Sequence, residues 1–292
     1  MKKFFILGMG AQKAGTTWMH DYLSKFKEVN FGFKKEYHVL DFQIKPFRKM
    51  GIRKFLSLSD FTKYRQQLID IKKDDIDINL LGNLMTTSMI MHPDLYYAYF
   101  NFLLCNDKFI TGDFSPENAG IEKENLIELR DNFKIHSIEV IPIFLMRDPL
   151  ERVRSNISMT IASKADDLLN NDEVEKIQNA QKTGRERIKS DYLKTLKNIK
   201  EVFGDRSFIS FYEQIFTESE IKRLTSLLGL KYEKPNFKIF SNKAKRSKAD
   251  ISDDRKKIII KNYKHTYHGL YDIYGKDFMD SIWDSNFRNF ES

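Results

Sequence analysis

The chain has 292 residues, 41% hydrophobic and 13% aromatic, enough to bury a full core as one large domain. Its single cysteine, Cys105, excludes an internal disulfide and fits a reducing compartment. No stretch approaches the length of a membrane span, and the net charge of +8 points toward anionic partners.

The start, Lys2-Lys3 followed by Phe4 to Leu7, imitates a signal peptide. Its apolar core is too short, however, and no small-residue cleavage site follows before Lys13, so a soluble, cytoplasmic protein is expected. Phe4-Phe5-Ile6-Leu7 instead reads as a strand running into Gly8-Met9-Gly10-Ala11-Gln12-Lys13-Ala14-Gly15-Thr16-Thr17-Trp18. An amphipathic helix carrying Met19, Tyr22, Leu23 and Phe26 follows. A strand, a glycine-bounded loop and a helix start, in that order, make an anion site, because unpaired N–H groups and the positive end of the helix dipole face the loop. A nucleotide-triphosphatase loop reads G-x-x-x-x-G-K-[ST]. Gly10 and Gly15 keep that separation, but Thr16 stands where the lysine belongs and Lys13 sits inside the loop, which argues against ATP or GTP chemistry.

Val29 to Phe33 reads as a second short strand, and Lys45 to Asn83 as irregular chain with one helix near Asp60 to Ile71. Tyr96 to Cys105 has an aromatic-rich helical pattern that makes Cys105 a core thiol. Phe109 to Phe114 is a predicted strand ending in Ser115-Pro116, with a helix over Glu122 to Phe133. Ile138 to Met146 is a predicted buried strand. Arg147-Asp148-Pro149-Leu150-Glu151-Arg152-Val153-Arg154-Ser155 follows it, with Pro149 suited to the first turn of a helix. Arg147 at the strand's carboxyl end and Ser155 two turns into the helix can approach one phosphate from two sides. A guanidinium fork suits a phosphate dianion. Further helices are predicted over Asp166 to Arg187, Asp191 to Phe203 and Glu218 to Leu228, a strand over Arg206 to Phe211, and a last helix from Ser252 or Asp253. The alternation predicts an α/β fold: a single domain with a central parallel sheet flanked by helices, of the P-loop nucleotide-binding type.

Together, the two junctions resemble the sulfotransferases that use 3′-phosphoadenosine 5′-phosphosulfate (PAPS). Lys13-Ala14-Gly15-Thr16-Thr17-Trp18 is similar to that family's 5′-phosphosulfate loop, K-S-G-T-T-W, with Ala14 in place of serine. Arg147-Asp148-Pro149 with Glu151, Arg152 and Ser155 is similar to its 3′-phosphate motif, R-[DN]-P-x-[ED]-R-x-x-S. Phe31 to Phe42, with Lys35-Glu36 at its centre, resembles the K-E-x-x-x-F segment of carbohydrate sulfotransferases, which implies Glu36 as the base for an acceptor hydroxyl. His38 is the rival base, since an unperturbed imidazole titrates near neutrality. A charged surface pair is the plain alternative for Lys35 and Glu36.

The resemblance further implies that Lys13 stabilises charge on the leaving phosphate. It places Trp18 near the adenine, where helix packing explains that residue equally well. Tyr212-Glu213 looks like the family's Y-E segment, with Tyr212 either a donor contact or a sheet-end tyrosine. Gly112-Asp113-Phe114-Ser115-Pro116 looks like a G-E-x-[ST]-P segment on the acceptor side, with aspartate for glutamate. Lys231 to Lys264 holds 12 basic and 4 acidic residues, and within it Lys243, Lys245 and Arg246 fall where relatives place a basic loop over the donor.

The expected activity is transfer of a sulfuryl group from PAPS, leaving 3′,5′-adenosine bisphosphate (PAP), to a hydroxyl or amine of an acceptor, a saccharide by motif style. A small alcohol or phenol is the second choice of acceptor. No metal is expected to be required, because no carboxylate cluster accompanies the loop, and no nucleic acid partner is expected, because the aromatics form no RNA-binding signature. A P-loop kinase or NTPase, a catalytically silent PAPS fold and a basic RNA-binding module are the competing readings.

Overall fold

The computed structural model describes residues 2–43, 78–163, 189–237 and 252–283. Its sheet has four strands, β1 (Lys3–Gly8), β2 (Ile110–Asp113), β3 (Ile138–Met146) and β4 (Phe208–Phe211), in the order β2-β1-β3-β4. All three pairings are parallel, with Ile6 opposite Gly112 and Ile141, and Leu145 opposite Ser210. Every residue of β1 after Lys3, and every residue of β2, is buried. Successive strand residues point to opposite faces, so both faces are covered, as parallel sheets require. That explains why these strands read as continuous apolar runs.

Ten helices are described: α1 (Thr16–Leu23), α2 (Ile78–Met91), α3 (Asp94–Leu103), α4 (Lys123–Ile135), α5 (Pro149–Ser163), α6 (Tyr192–Phe203), α7 (Glu218–Leu227), α8 (Asp253–Asn262), α9 (Lys264–Tyr274) and α10 (Lys276–Ile282). One face of β1 packs through Phe5, which stacks on Phe133 of α4 (centroids 4.1 Å apart) and meets Phe100 of α3 edge-on (4.8 Å). Phe144 of β3 meets Tyr192 of α6 edge-on at 5.7 Å.

Three expectations need correcting. Val29 to Phe33 is not a strand: Val29 makes one isolated bridge to Ile110, and the chain then turns. Gly32 has φ +72°, and the Asn30 side-chain oxygen accepts its N–H at 3.1 Å, an Asx turn that ends extended pairing. Residues 78 to 83 are not irregular but open α2. Their helical pattern is blurred by Gly82 and by Thr86, Thr87 and Ser88, whose hydroxyls donate to carbonyls four residues back (2.8, 2.8 and 3.0 Å) and so satisfy themselves within the helix. Cys105 is exposed rather than a core thiol, because α3 ends at Leu103 and the cysteine lies beyond its buried stripe.

The predicted helices near Asp60 to Ile71 and Asp166 to Arg187 lie outside the described residues. The helix predicted from Ser252 or Asp253 begins there but is followed by two more, with Gly275 at φ +83° breaking α9 from α10. Among the described residues no helix is long and apolar enough to cross a membrane.

Candidate active site

The sheet order sets the location. From β1 the chain crosses to β2 on one side, and from β2 it crosses to β3 on the other, so a crevice opens at the carboxyl ends of β1 and β3. Both sequence motifs leave the sheet there. The first loop extends the pairing before it turns: Met9 N–H donates to Ile143 (2.9 Å), Ala11 N–H to Leu145 (2.7 Å), and Leu145 N–H back to Gly10 (2.9 Å). Gly15 then holds φ +89° as the residue before α1, and a Cβ there would stand 2.7 Å from Ile215. Lys13 has φ +69°, unusual for a side-chain-bearing residue. Its ammonium lies 3.5 Å from the Met159 sulfur on α5.

Arg147 closes the loop from the other strand. It donates from Nη1 to the Lys13 carbonyl (2.9 Å), and its guanidinium lies over the Tyr212 ring at 4.3 Å. Its Nη2 is 3.9 Å from Glu151, and its carbonyl accepts the Tyr192 hydroxyl at 2.8 Å. The Arg147 Nε is buried and has no hydrogen-bond partner among the described residues. Ser155 is partly exposed on α5, one turn before Met159, so it shares the helix face that meets Lys13.

The neighbouring motif residues serve the framework. Asp148 is buried; it caps α5 by accepting the Leu150 N–H (2.9 Å) and also accepts the Tyr267 hydroxyl. Arg152 is fully buried and donates to Ser190 and to Tyr263 (3.3 Å). Trp18 is 7% exposed and belongs to an aromatic cluster, stacked on Tyr22 (5.8 Å) and Phe237 (6.2 Å) with Phe216 at its edge (5.1 Å).

The segment carrying Glu36 is clamped to the end of β2. Phe114 N–H donates to the Lys35 carbonyl (2.9 Å), Tyr37 N–H to Asp113 (3.3 Å), and His38 N–H to the Ser115 hydroxyl (2.9 Å). Lys35 reaches across to the Thr17 hydroxyl at 3.1 Å and pairs with Glu36, so this segment is tied directly to the first loop. The Lys35–Glu36 pair is therefore not a plain surface pair: the two side chains are only 21% and 32% exposed. Burial alone would raise the Glu36 carboxyl. The hydrogen bond from His38 and the charge of Lys35 outweigh it, and bring the group down to about 2.

Sequence reasoning missed Glu117. It is 12% exposed, and its carboxylate lies 3.6 Å from Nδ1 of His38, whose Nε2 lies 3.4 Å from Glu36. The signal was the Ser115-Pro116 turn at a strand's carboxyl end, which places the next side chain at the crevice. Lys243, Lys245 and Arg246 lie outside the described residues. Among the described residues no group of three or more His, Cys, Asp or Glu is placed to hold a metal ion.

Against solved structures, the chain is similar to a sulfotransferase from Alicyclobacillus acidocaldarius, with TM-score 0.57 and 14% identity over 94% of this chain and 96% of that one. The two chains share a fold. A sulfotransferase domain from the curacin biosynthetic pathway is also similar, with TM-score 0.43 and 15% identity over 79% and 75% of the two chains. No protein-family model and no curated protein matches the sequence. Within that fold, the loop after β1, Arg147 and the Glu36 segment lie together at the carboxyl ends of the strands.

Proposed function

We propose that this protein is a cytoplasmic sulfotransferase that moves a sulfuryl group from PAPS to a hydroxyl or amine, with a saccharide as acceptor. The observation that carries the reading is the Arg147 Nε, buried and without a hydrogen-bond partner among the described residues, beside a glycine-bounded loop that lacks the nucleotide-triphosphatase lysine. A guanidinium held over Tyr212 with a donor to spare suits a phosphate oxygen, which supports placing the 3′-phosphate end of the donor there.

The donor supplies an activated sulfuryl group attached to a phosphate that departs with the bond's electron pair. Backbone N–H groups of Gly15, Thr16 and Thr17, together with the Lys13 ammonium, hold the developing negative charge at the phosphate. Arg147 and Ser155 hold the 3′-phosphate, and Tyr212 positions the guanidinium. By the sequence resemblance, Lys243, Lys245 and Arg246 are the further basic residues assigned to the donor. Glu36 takes the acceptor's proton and stays ionised across working pH. Trp18 anchors the helix behind the loop and borders the adenine. No residue in this scheme requires a metal. The one cysteine, exposed at Cys105, suits a reducing cytoplasm.

The test is transfer of radiolabelled sulfate from PAPS to a panel of sugar and phenol acceptors, with Glu36→Gln as control. Label on sugars that disappears in Glu36→Gln supports the reading. Label on phenols alone overturns the saccharide assignment, and turnover unaffected by Glu36→Gln overturns the base.

A further inference from the structure

Arg147 is held at its carbonyl, at the residue after it and beneath its guanidinium. The carbonyl accepts the Tyr192 hydroxyl at 2.8 Å, and the buried carboxylate of Asp148 accepts the Tyr267 hydroxyl. The guanidinium lies over Tyr212, whose N–H donates to the Met146 carbonyl at 2.7 Å. These supports meet at one side chain near the other end of the sequence. Trp283, the residue after α10, is buried, with its ring edge-on to Tyr267 (5.8 Å) and tilted against Tyr192 (6.4 Å). It also meets Phe211, the last residue of β4, edge-on at 5.6 Å. Its Nε1–H donates to Glu213, the neighbour of Tyr212, at 3.2 Å. Burial pushes the Glu213 carboxyl up to about 7, so this bond is made away from water, where it loses little strength to solvent.

We propose that Trp283 is a positioning residue for the donor's 3′-phosphate: its ring seats Tyr192 and Tyr267, and its N–H fixes the strand end that carries Tyr212, so that the Arg147 guanidinium is aimed before the donor arrives. The inference rests on the reading of Arg147 as the 3′-phosphate residue. A tryptophan used only as filling would add stability and nothing else. Here the indole makes both a fixed ring geometry and a directional bond, and each of its polar or aromatic partners touches Arg147 or a residue beside it. A charge-assisted hydrogen bond weakens steeply as its distance and angle drift, so loosening these supports costs recognition of the 3′-phosphate more than recognition of the rest of the donor. The helices α9 and α10, which carry Tyr267 and lead into Trp283, thereby become part of the donor site without touching the donor.

The test is calorimetry of the full chain with PAP and with adenosine 5′-monophosphate, which lacks the 3′-phosphate, on wild type, Trp283→Leu and Trp283→Phe. Phe133→Leu, which trims a core ring stacked on Phe5 of β1, is the control for lost stability alone. The preference for PAP should fall about tenfold in Trp283→Leu and about threefold in Trp283→Phe, which keeps a ring but loses the bond to Glu213, while affinity for the monophosphate holds. Phe133→Leu should keep the wild-type preference. If Trp283→Leu does not fold, Trp283→Phe decides in its place. A preference unchanged in the deciding variant, or lowered equally in Phe133→Leu, overturns the inference and leaves the sulfotransferase reading standing. A wild type that binds PAP no better than the monophosphate overturns the reading of Arg147 itself.

Discussion

Asp113, with no exposed surface, accepts the backbone N–H of Tyr37 at 3.3 Å and so joins the end of β2 to the segment that carries Glu36. The same carboxylate accepts the Ser115 N–H (2.9 Å), the Ser115 hydroxyl (2.6 Å) and the Tyr96 hydroxyl (3.0 Å). A buried charge is tolerable when hydrogen bonds surround it. Here those bonds also fix where Glu36, His38 and Glu117 stand relative to the first loop.

Replacing Asp113 tests this coupling. Asp113→Ala leaves several buried donors unsatisfied, at about 1–3 kcal/mol for each group. Chemical denaturation should show a loss of at least that size, and turnover should fall further than the fraction unfolded explains. A variant with wild-type stability would show that the clamp is dispensable.

Arg147→Ala should weaken PAP binding by roughly 10- to 100-fold, the worth of a charge-assisted hydrogen bond to a phosphate. Calorimetry with PAP and with adenosine 5′-monophosphate separates the two ends of the ligand. Wild type should prefer PAP, and the variant should bind both alike. An unchanged preference would place the 3′-phosphate elsewhere.

In the proposed mechanism Lys13→Ala removes the cation that stabilises the leaving phosphate and should lower kcat by about 10²–10³-fold, as loss of one preorganised transition-state donor does. PAP affinity should fall much less. Equal losses in both would mean that the lysine binds donor and transition state uniformly.

Glu36 gives a signed pH prediction. Its folded value, about 2, lies below the ordinary 4.5, so its ionised form stabilises the fold. That contribution is complete above 4.5 and is lost as pH falls through about 2. Thermal unfolding of Glu36→Gln should therefore differ from wild type near neutrality and converge with it in acid. A gap that widens in acid would contradict the ion-pair geometry with Lys35 and His38.

The strands and the turn after β1 were legible in the sequence for a physical reason. A buried parallel strand needs an unbroken apolar run, and the tight loop at its end needs glycine at positive φ, as at Gly10 and Gly15. The helix α2 was not legible, since its Gly82 and hydroxyl residues read as loop until their bonds to the preceding turn are seen. The turn at Gly32 was hidden for the converse reason: its flanking Phe31 and Phe33 imitate a strand. Glu117 escaped, as did the bond from Tyr37 to the already noted Asp113, because the partners His38 and Tyr37 lie far away in sequence.

The most direct test of the central claim is thermal unfolding of the full chain with PAP, compared with ADP, each with and without magnesium. At a hundred times its dissociation constant, PAP should stabilise the fold by about 2.7 kcal/mol, independently of magnesium, with no comparable shift from ADP. A shift with ADP and magnesium but none with PAP would contradict the sulfotransferase account and return the crevice to nucleotide-triphosphate chemistry.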